Sequence, residues 1–119
     1  MEASALELSR SQDFRELLLE AVDEALSSLG DSSKRAIYFH LERDFTIRKR
    51  DIPSKIGEFT DAIENIFGNG AKILEIQIMK NLYEKVGQNF EFVPEKDDLL
   101  FTEYVKAAFV HMSFYNSRE

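Results

Sequence analysis

Apolar residues recur at three- and four-residue intervals over most of the chain, and the places where that recurrence breaks divide it into helices. From Asp13 onward, Phe14, Leu17, Leu18, Ala21, Val22, Ala25, Leu26 and Leu29 mark one helix face. Asp13, Glu16 and Glu20 sit in its early turns, where the helix dipole favours acids, and Gly30 is a natural stop. Residues 1–10 carry little pattern and are expected to fray or to extend this helix. Leu19 falls outside the stripe, where it would widen the apolar face or meet a partner. Asp31 or Ser32 is expected to cap a second helix reaching about Phe45, with Ala36, Ile37, Phe39, Leu41 and Phe45 as its apolar positions. So short a linker makes the two helices antiparallel neighbours.

The stretch Thr46-Ile-Arg-Lys-Arg-Asp-Ile52 is too polar and too short for a core helix, and Ile47 and Ile52 are expected to pin it as an ordered connector. Pro53 suits the start of a third helix, which runs to about Phe67 with Ile56, Phe59, Ala62, Ile63 and Ile66 inward. Gly57 weakens its first turn, Gly68 stops it, and Asn69 is placed to cap the next. Helix 4, about 70–86, carries Ala71, Leu74, Ile78, Leu82 and Val86 on one stripe, with Ile73, Ile76 and Met79 to either side. Leu74 to Ile78 also alternates as a strand would, but the helical spacing continues through Leu82, Tyr83 and Val86. Apolar residues spread this widely predict the most buried, central helix.

Gly87 ends helix 4. Residues 88–94 alternate and are expected to cross the surface with Phe90 and Phe92 or Val93 tucked in. Asp97 or Asp98 then caps a last helix, about 98–114, with Leu100, Phe101, Tyr104, Val105, Ala108, Phe109 and Met112 inward, and 116–119 form a tail. The expected fold is all-α, a compact bundle of about five helices in a single domain over 1–119.

Composition fits that picture. Hydrophobic residues make up 44%, enough for a core in a chain of 119 residues. No run approaches the roughly 20 apolar residues of a membrane span. The start, Met-Glu-Ala-Ser-Ala-Leu-Glu, lacks the basic and apolar regions of a signal peptide, and there is no cysteine for disulfide or thiol chemistry. These features lead to an expectation of a cytoplasmic protein.

The net charge of −7 argues against non-specific binding to nucleic acid or anionic membranes, but it is unevenly spread. Residues 34–55 hold seven basic and three acidic side chains, while the stretches on either side are acidic. Arg48-Lys-Arg50 between two helices could meet phosphate as the turn of a DNA-binding helix pair does. The third helix would then read the DNA, and its outward residues are Glu58, Asp61 and Glu64, of like charge to the backbone. Pairing of the basic segment with the acidic body, or with a protein partner, is the preferred reading.

A catalytic set is not evident. His40 and His111 lie on different helices with no metal-ligand spacing, and there is no Gly-x-Ser-x-Gly and no phosphate loop. Gly68-Asn-Gly70 is explained by helix termination more simply than by anion binding. Glu75, amid Ile73-Leu-Glu-Ile-Gln-Ile78, lies in the middle of the helix expected to be most buried; it faces the edge of that helix in the preferred reading, and if buried it must be paired, hydrogen-bonded or protonated. It would act as a general base or switch, or simply pair with Lys72 or a basic residue of 34–55. An enzyme or ligand binder centred on Glu75 and His40 would need a pocket joining helices 2 and 4.

Ala25-Leu-Ser-Ser-Leu-Gly-Asp-Ser-Ser-Lys-Arg-Ala-Ile-Tyr-Phe-His-Leu-Glu42, then Ile52-Pro, Glu58-Phe-Thr-Asp-Ala-Ile-Glu-Asn-Ile-Phe-Gly68 and Ala71-Lys-Ile-Leu-Glu75, resemble a small archaeal family. Its members occur alone and as an output domain proposed for archaeal two-component signalling, the Nitrosopumilus-type output domain. The likeness covers about residues 20–87. It implies a helical archaeal protein of the cytoplasm with a part in signalling or regulation, and it assigns no activity to any residue.

The functional expectation is a non-enzymatic regulatory or protein-interaction module without metal or cofactor, acting through a homodimer or a protein partner. Its expected contact surface is Tyr38, His40, Arg43, Arg48, Lys49 and Arg50, and Leu19, Phe39, Phe114 and Tyr115 are apolar residues left over to seal a pair. The alternative is a helix-turn-helix DNA-binding regulator using the 43–50 segment.

Overall fold

Helix α1 spans Ala5–Ser27 and begins well before Asp13, so the segment of little pattern extends the helix from Ala5. The computed structural model describes the backbone of residues 5–88 and 101–116, and the side chains of 12–88 and 101–112. Helices α2 (Asp31–Phe45), α3 (Ile56–Phe67), α4 (Ala71–Lys85) and α5 (Phe101–Asn116) follow, with 3₁₀ turns at Lys49–Lys55 and Gly68–Gly70. The described residues are all-helical, with no strand. The 88–94 crossing beyond Gln88, the Asp97 or Asp98 cap, Leu100, and the side chains of Phe114 and Tyr115 lie outside the described residues.

Packing is most extensive between α1 and α4, and both also pack against α5. Helix α2 covers α1 and α3, and α3 closes against α4 and α5. The centre therefore belongs to α1 and α4 jointly. Leu18, Val22 and Leu26 from α1 meet a core that includes Ile78 and Leu82 of α4 and Phe59 and Ile63 of α3, all nearly inaccessible. Burying each such side chain stabilises the fold by about 1.5–3 kcal/mol before chain entropy is charged against it. Asn81 donates through Nδ2 to the Ala21 carbonyl at 3.1 Å, and the Tyr83 hydroxyl donates to the Tyr104 carbonyl at 2.9 Å. These bonds stitch α4 to α1 and to α5.

The connector is held as expected: Ile47 and Ile52 are fully buried and anchor the 3₁₀ turn that contains Pro53. Helix α3 starts at Ile56, three residues after Pro53, because the 3₁₀ turn continues through Lys55.

Several expectations are corrected. Leu29 is 44% exposed, because α1 ends at Ser27 and Leu29 lies in the turn beyond it. Phe39 is 58% exposed, and Ala36 is exposed as well. The buried stripe of α2 is Ile37 and Leu41, and a residue two places from Ile37 points roughly 200° away on the helix. Ile73, on the outer side of α4, is 75% exposed. Neither Asp31 nor Ser32 caps α2. The N-cap is Gly30, whose φ of 102° turns the chain between the antiparallel helices, and its carbonyl accepts from the Lys34 N–H. Asn69 does not cap α4; the backbone of the Gly68–Gly70 turn leads into it.

Candidate functional site

The six residues expected to form a contact surface separate into three local arrangements. In the first, Tyr38 and Lys49 are drawn onto Asp23 of α1. The Tyr38 hydroxyl donates to Asp23 Oδ1 at 2.9 Å, Lys49 Nζ lies 3.0 Å from the same oxygen, and Lys34 Nζ lies 3.4 Å from Oδ2. The Lys49 ammonium also sits 5.2 Å from the centre of the Tyr38 ring. Burial pushes the Asp23 carboxyl up, but the hydrogen bonds from Lys49 and Tyr38 and the two lysine charges outweigh it and hold the group below its ordinary range. Burial, and then the bond to Asp23, push the Tyr38 hydroxyl far up, so it stays a donor. The basic segment thus pairs in part with the acidic body of its own chain.

In the second, His40 and Arg43 converge on Asp44 on the outer face of α2. Arg43 Nε donates to Asp44 Oδ1 at 2.9 Å, and His40 Nδ1 lies 3.0 Å from Oδ2. The Arg43 bond, followed by the His40 bond, lowers the Asp44 carboxyl to about 2. The Arg43 guanidinium lies 5.2 Å from the centre of the exposed Phe39 ring, and the His40 ring meets Phe39 edge-on at 6.2 Å.

In the third, Arg48 and Arg50 line a groove of about 400 Å³ with Leu19, Glu42 and Lys49. Arg48 Nε is 4.0 Å from Glu42, too far for a hydrogen bond, and Arg50 pairs with no described residue. Leu19, half-buried in the groove lining, is the residue that stood outside the α1 stripe.

Sequence reasoning missed Asp23 and Asp44, which organise two of these arrangements. Both look like solvated acids along the chain. The only hint for Asp23 is its place beside Val22 at the edge of the apolar stripe.

Glu75 is buried at 5% exposure rather than set at the edge of α4. It makes neither the expected ion pair with a residue of 34–55 nor any other hydrogen bond or ion pair among the described residues. The reason is position: Glu75 lines the cleft between α4, α3 and α5, whereas the basic residues lie on α2 and the connector, which pack against α1 and the other parts of α3. It lines a cleft of about 730 Å³ with Asp61 and Glu64 of α3, Lys72 of α4 and Phe101 of α5. Burial raises the Glu75 carboxyl, the Glu64 charge raises it further, and Lys72 offsets part of that. His40 does not line this cleft, which joins α4 to α3 and α5. No group of three His, Asp or Glu side chains among the described residues is placed to hold a metal ion.

Comparison with known protein families, with curated proteins and with solved structures finds nothing that matches this chain.

Proposed function

We propose that this protein is a non-enzymatic interaction module that docks an acidic, apolar-bearing protein surface on its basic segment. The observation that carries the reading is the groove lined by Leu19, Glu42, Arg48, Lys49 and Arg50, in which Arg50 has no partner among the described residues, on a chain of net charge −7. Phe39, exposed beneath the Arg43 guanidinium, adds a second amphipathic feature on the neighbouring helix. Tyr38 and Lys49 belong to the frame: bound to Asp23, they fix the connector that presents the arginines. A second copy would supply an acidic surface of its own, so self-association is one form of the same activity. The likeness to a signalling output domain supports a regulatory role in the cytoplasm. No helix among the described residues is long and apolar enough to cross a membrane.

The DNA-binding alternative is less well supported. The connector between α2 and α3 runs over residues 46–55, whereas the turn of a helix-turn-helix has about 3–4 residues. Glu58, Asp61 and Glu64 are all exposed on α3.

The test is mass in solution by light scattering behind a sizing column, at low and moderate salt, followed by titration with an acidic leucine-bearing peptide and with duplex DNA. The reading expects association, or peptide binding, that weakens with salt and is lost when Arg48, Arg50 and Leu19 are changed to Ala. A monomer that ignores the peptide and binds DNA overturns it in favour of the alternative.

A further inference from the structure

The basic segment leaves the cleft at Glu75 unexplained, and that cleft combines three features. Glu75 is nineteen-twentieths buried, yet has no hydrogen bond or ion pair among the described residues. With so little of the side chain exposed, this carboxylate meets water only through the cleft it lines, and a cationic donor bound there would compensate its charge. The cleft has room for such a group: its volume is about 730 Å³, and a Cβ placed on Gly57 or Gly68 of its lining would meet nothing within 4 Å. Among the described residues the lining has the right sign, with the carboxylates of Asp61, Glu64 and Glu75 against the ammonium of Lys72. Asp61 and Glu64 are three residues apart and so share a face of α3.

We propose that this cleft binds an organic ammonium group, with the Glu75 carboxylate as its buried anchor and Asp61 and Glu64 as the charged rim. A metal ion fits less well, because the cleft does not bring three metal-ligating side chains together among the described residues. An ammonium asks only for acceptors around three N–H donors, and it needs no fixed coordination geometry. The net lining charge of about two negative units, from three carboxylates and one lysine, suits an alkyl diamine, one end against Glu75 and the other at the rim. A lysine side chain of a protein offers the same chemistry at one end.

The test follows backbone amide shifts by NMR while the protein is titrated with 1,4-diaminobutane, with butane-1,4-diol, and with a lysine-bearing peptide beside its acetyl-lysine form. Saturable shifts with the diamine, centred on Gly57, Glu64, Lys72 and Glu75 and absent with the diol, support the proposal with a free amine as ligand. Shifts with the lysine peptide alone, lost on acetylation, support it with a protein lysine as ligand. Glu75→Gln should weaken binding by at least about ten-fold. Glu64→Gln at the exposed rim should weaken it by about two- to five-fold. If Glu75→Gln does not fold, Glu64→Lys must abolish binding in its place. No saturation by either amine up to about 10 mM overturns the proposal, as does a folded Glu75→Gln that binds like the unaltered protein.

Discussion

The Tyr38 hydroxyl donates to the Asp23 carboxylate at 2.9 Å, and Lys49 lies both on that carboxylate and over that ring. One acid of α1 thereby holds α2 and the connector at once. Changing Tyr38 to Phe removes one hydrogen bond to a charged acceptor and should cost about 1–2 kcal/mol. Asp23→Asn should cost a similar amount, because the lysine pairs it weakens are partly solvent-exposed. A double-mutant cycle by urea unfolding should return a coupling of about 1 kcal/mol between Tyr38 and Asp23. Additive effects would show that the bond contributes nothing.

The same carboxylate sets a dependence on acid. The folded protein holds Asp23 below its ordinary value of 3.8. Its contribution is therefore present above that value and is lost as pH falls through the lower folded one. Asp23→Asn should flatten the stability profile on the acid side of 3.8 and leave its shape near neutrality unchanged, as read from unfolding midpoints across pH.

Glu75 acts in the opposite direction. Its carboxyl is raised above 4.5 in the folded protein, chiefly by burial. The stability it contributes is fully present below 4.5 and lost as pH rises through the folded value, so ionised Glu75 penalises the fold at neutral pH. Glu75→Gln keeps the shape and removes the charge. It should stabilise the protein near neutrality by about 1–3 kcal/mol and abolish the loss of stability as pH rises above 4.5. An unchanged melting temperature at neutral pH would contradict a burial cost at this carboxylate.

Thr46 ends α2 with φ at 57°, the one non-glycine residue with positive φ among those described. Its N–H and that of Ile47 both reach the Leu41 carbonyl, closing the helix, but a β-branched side chain is strained there. Thr46→Asn should raise stability by about 0.5–1 kcal/mol, seen as a rise of a few degrees in Tm. A fall would mean the Thr46 side chain contributes more than its backbone costs.

The bond from Tyr83 to the Tyr104 carbonyl is buried, and the two rings meet edge-on with centroids 6.3 Å apart. Tyr83→Phe should cost about 1 kcal/mol. Because α5 is joined to α4 here, amide exchange in Phe101–Asn116 should quicken more than exchange in α2.

The helices themselves were legible along the chain, since a 3.6-residue apolar repeat can be buried only in helical form. The inward residues of α1 from Phe14 to Leu26 follow from that repeat, and the anchors Ile47 and Ile52 stand out as apolar residues in a polar connector. Helix limits were less legible. The Gly30 cap and the 3₁₀ turns depend on backbone geometry that several residues can adopt. Phe39 was misread because periodicity finds an apolar stripe but does not say which stripe meets a neighbour. In the candidate site, Arg48, Lys49 and Arg50 stood out as a run of charge, while Asp23 did not, because an acid that receives a distant partner looks no different in sequence from one facing water; Asp44 was missed although its partners, Arg43 and His40, are its neighbours on α2.

What the sequence by itself determined is the all-helical character, the helices that carry the core and the separation of charge along the chain, since these depend on local propensity and repeat spacing. What only the tertiary structure decided is which charges meet. Folding α2 and its connector onto α1 satisfies Tyr38 and Lys49 at Asp23 and leaves Arg50 open, whereas packing α3 and α5 against α4 buries Glu75 beyond reach of every cation in 34–55. Electrostatic partnership depends on distance through space and on exclusion of water, and neither is written in the spacing of residues along a chain.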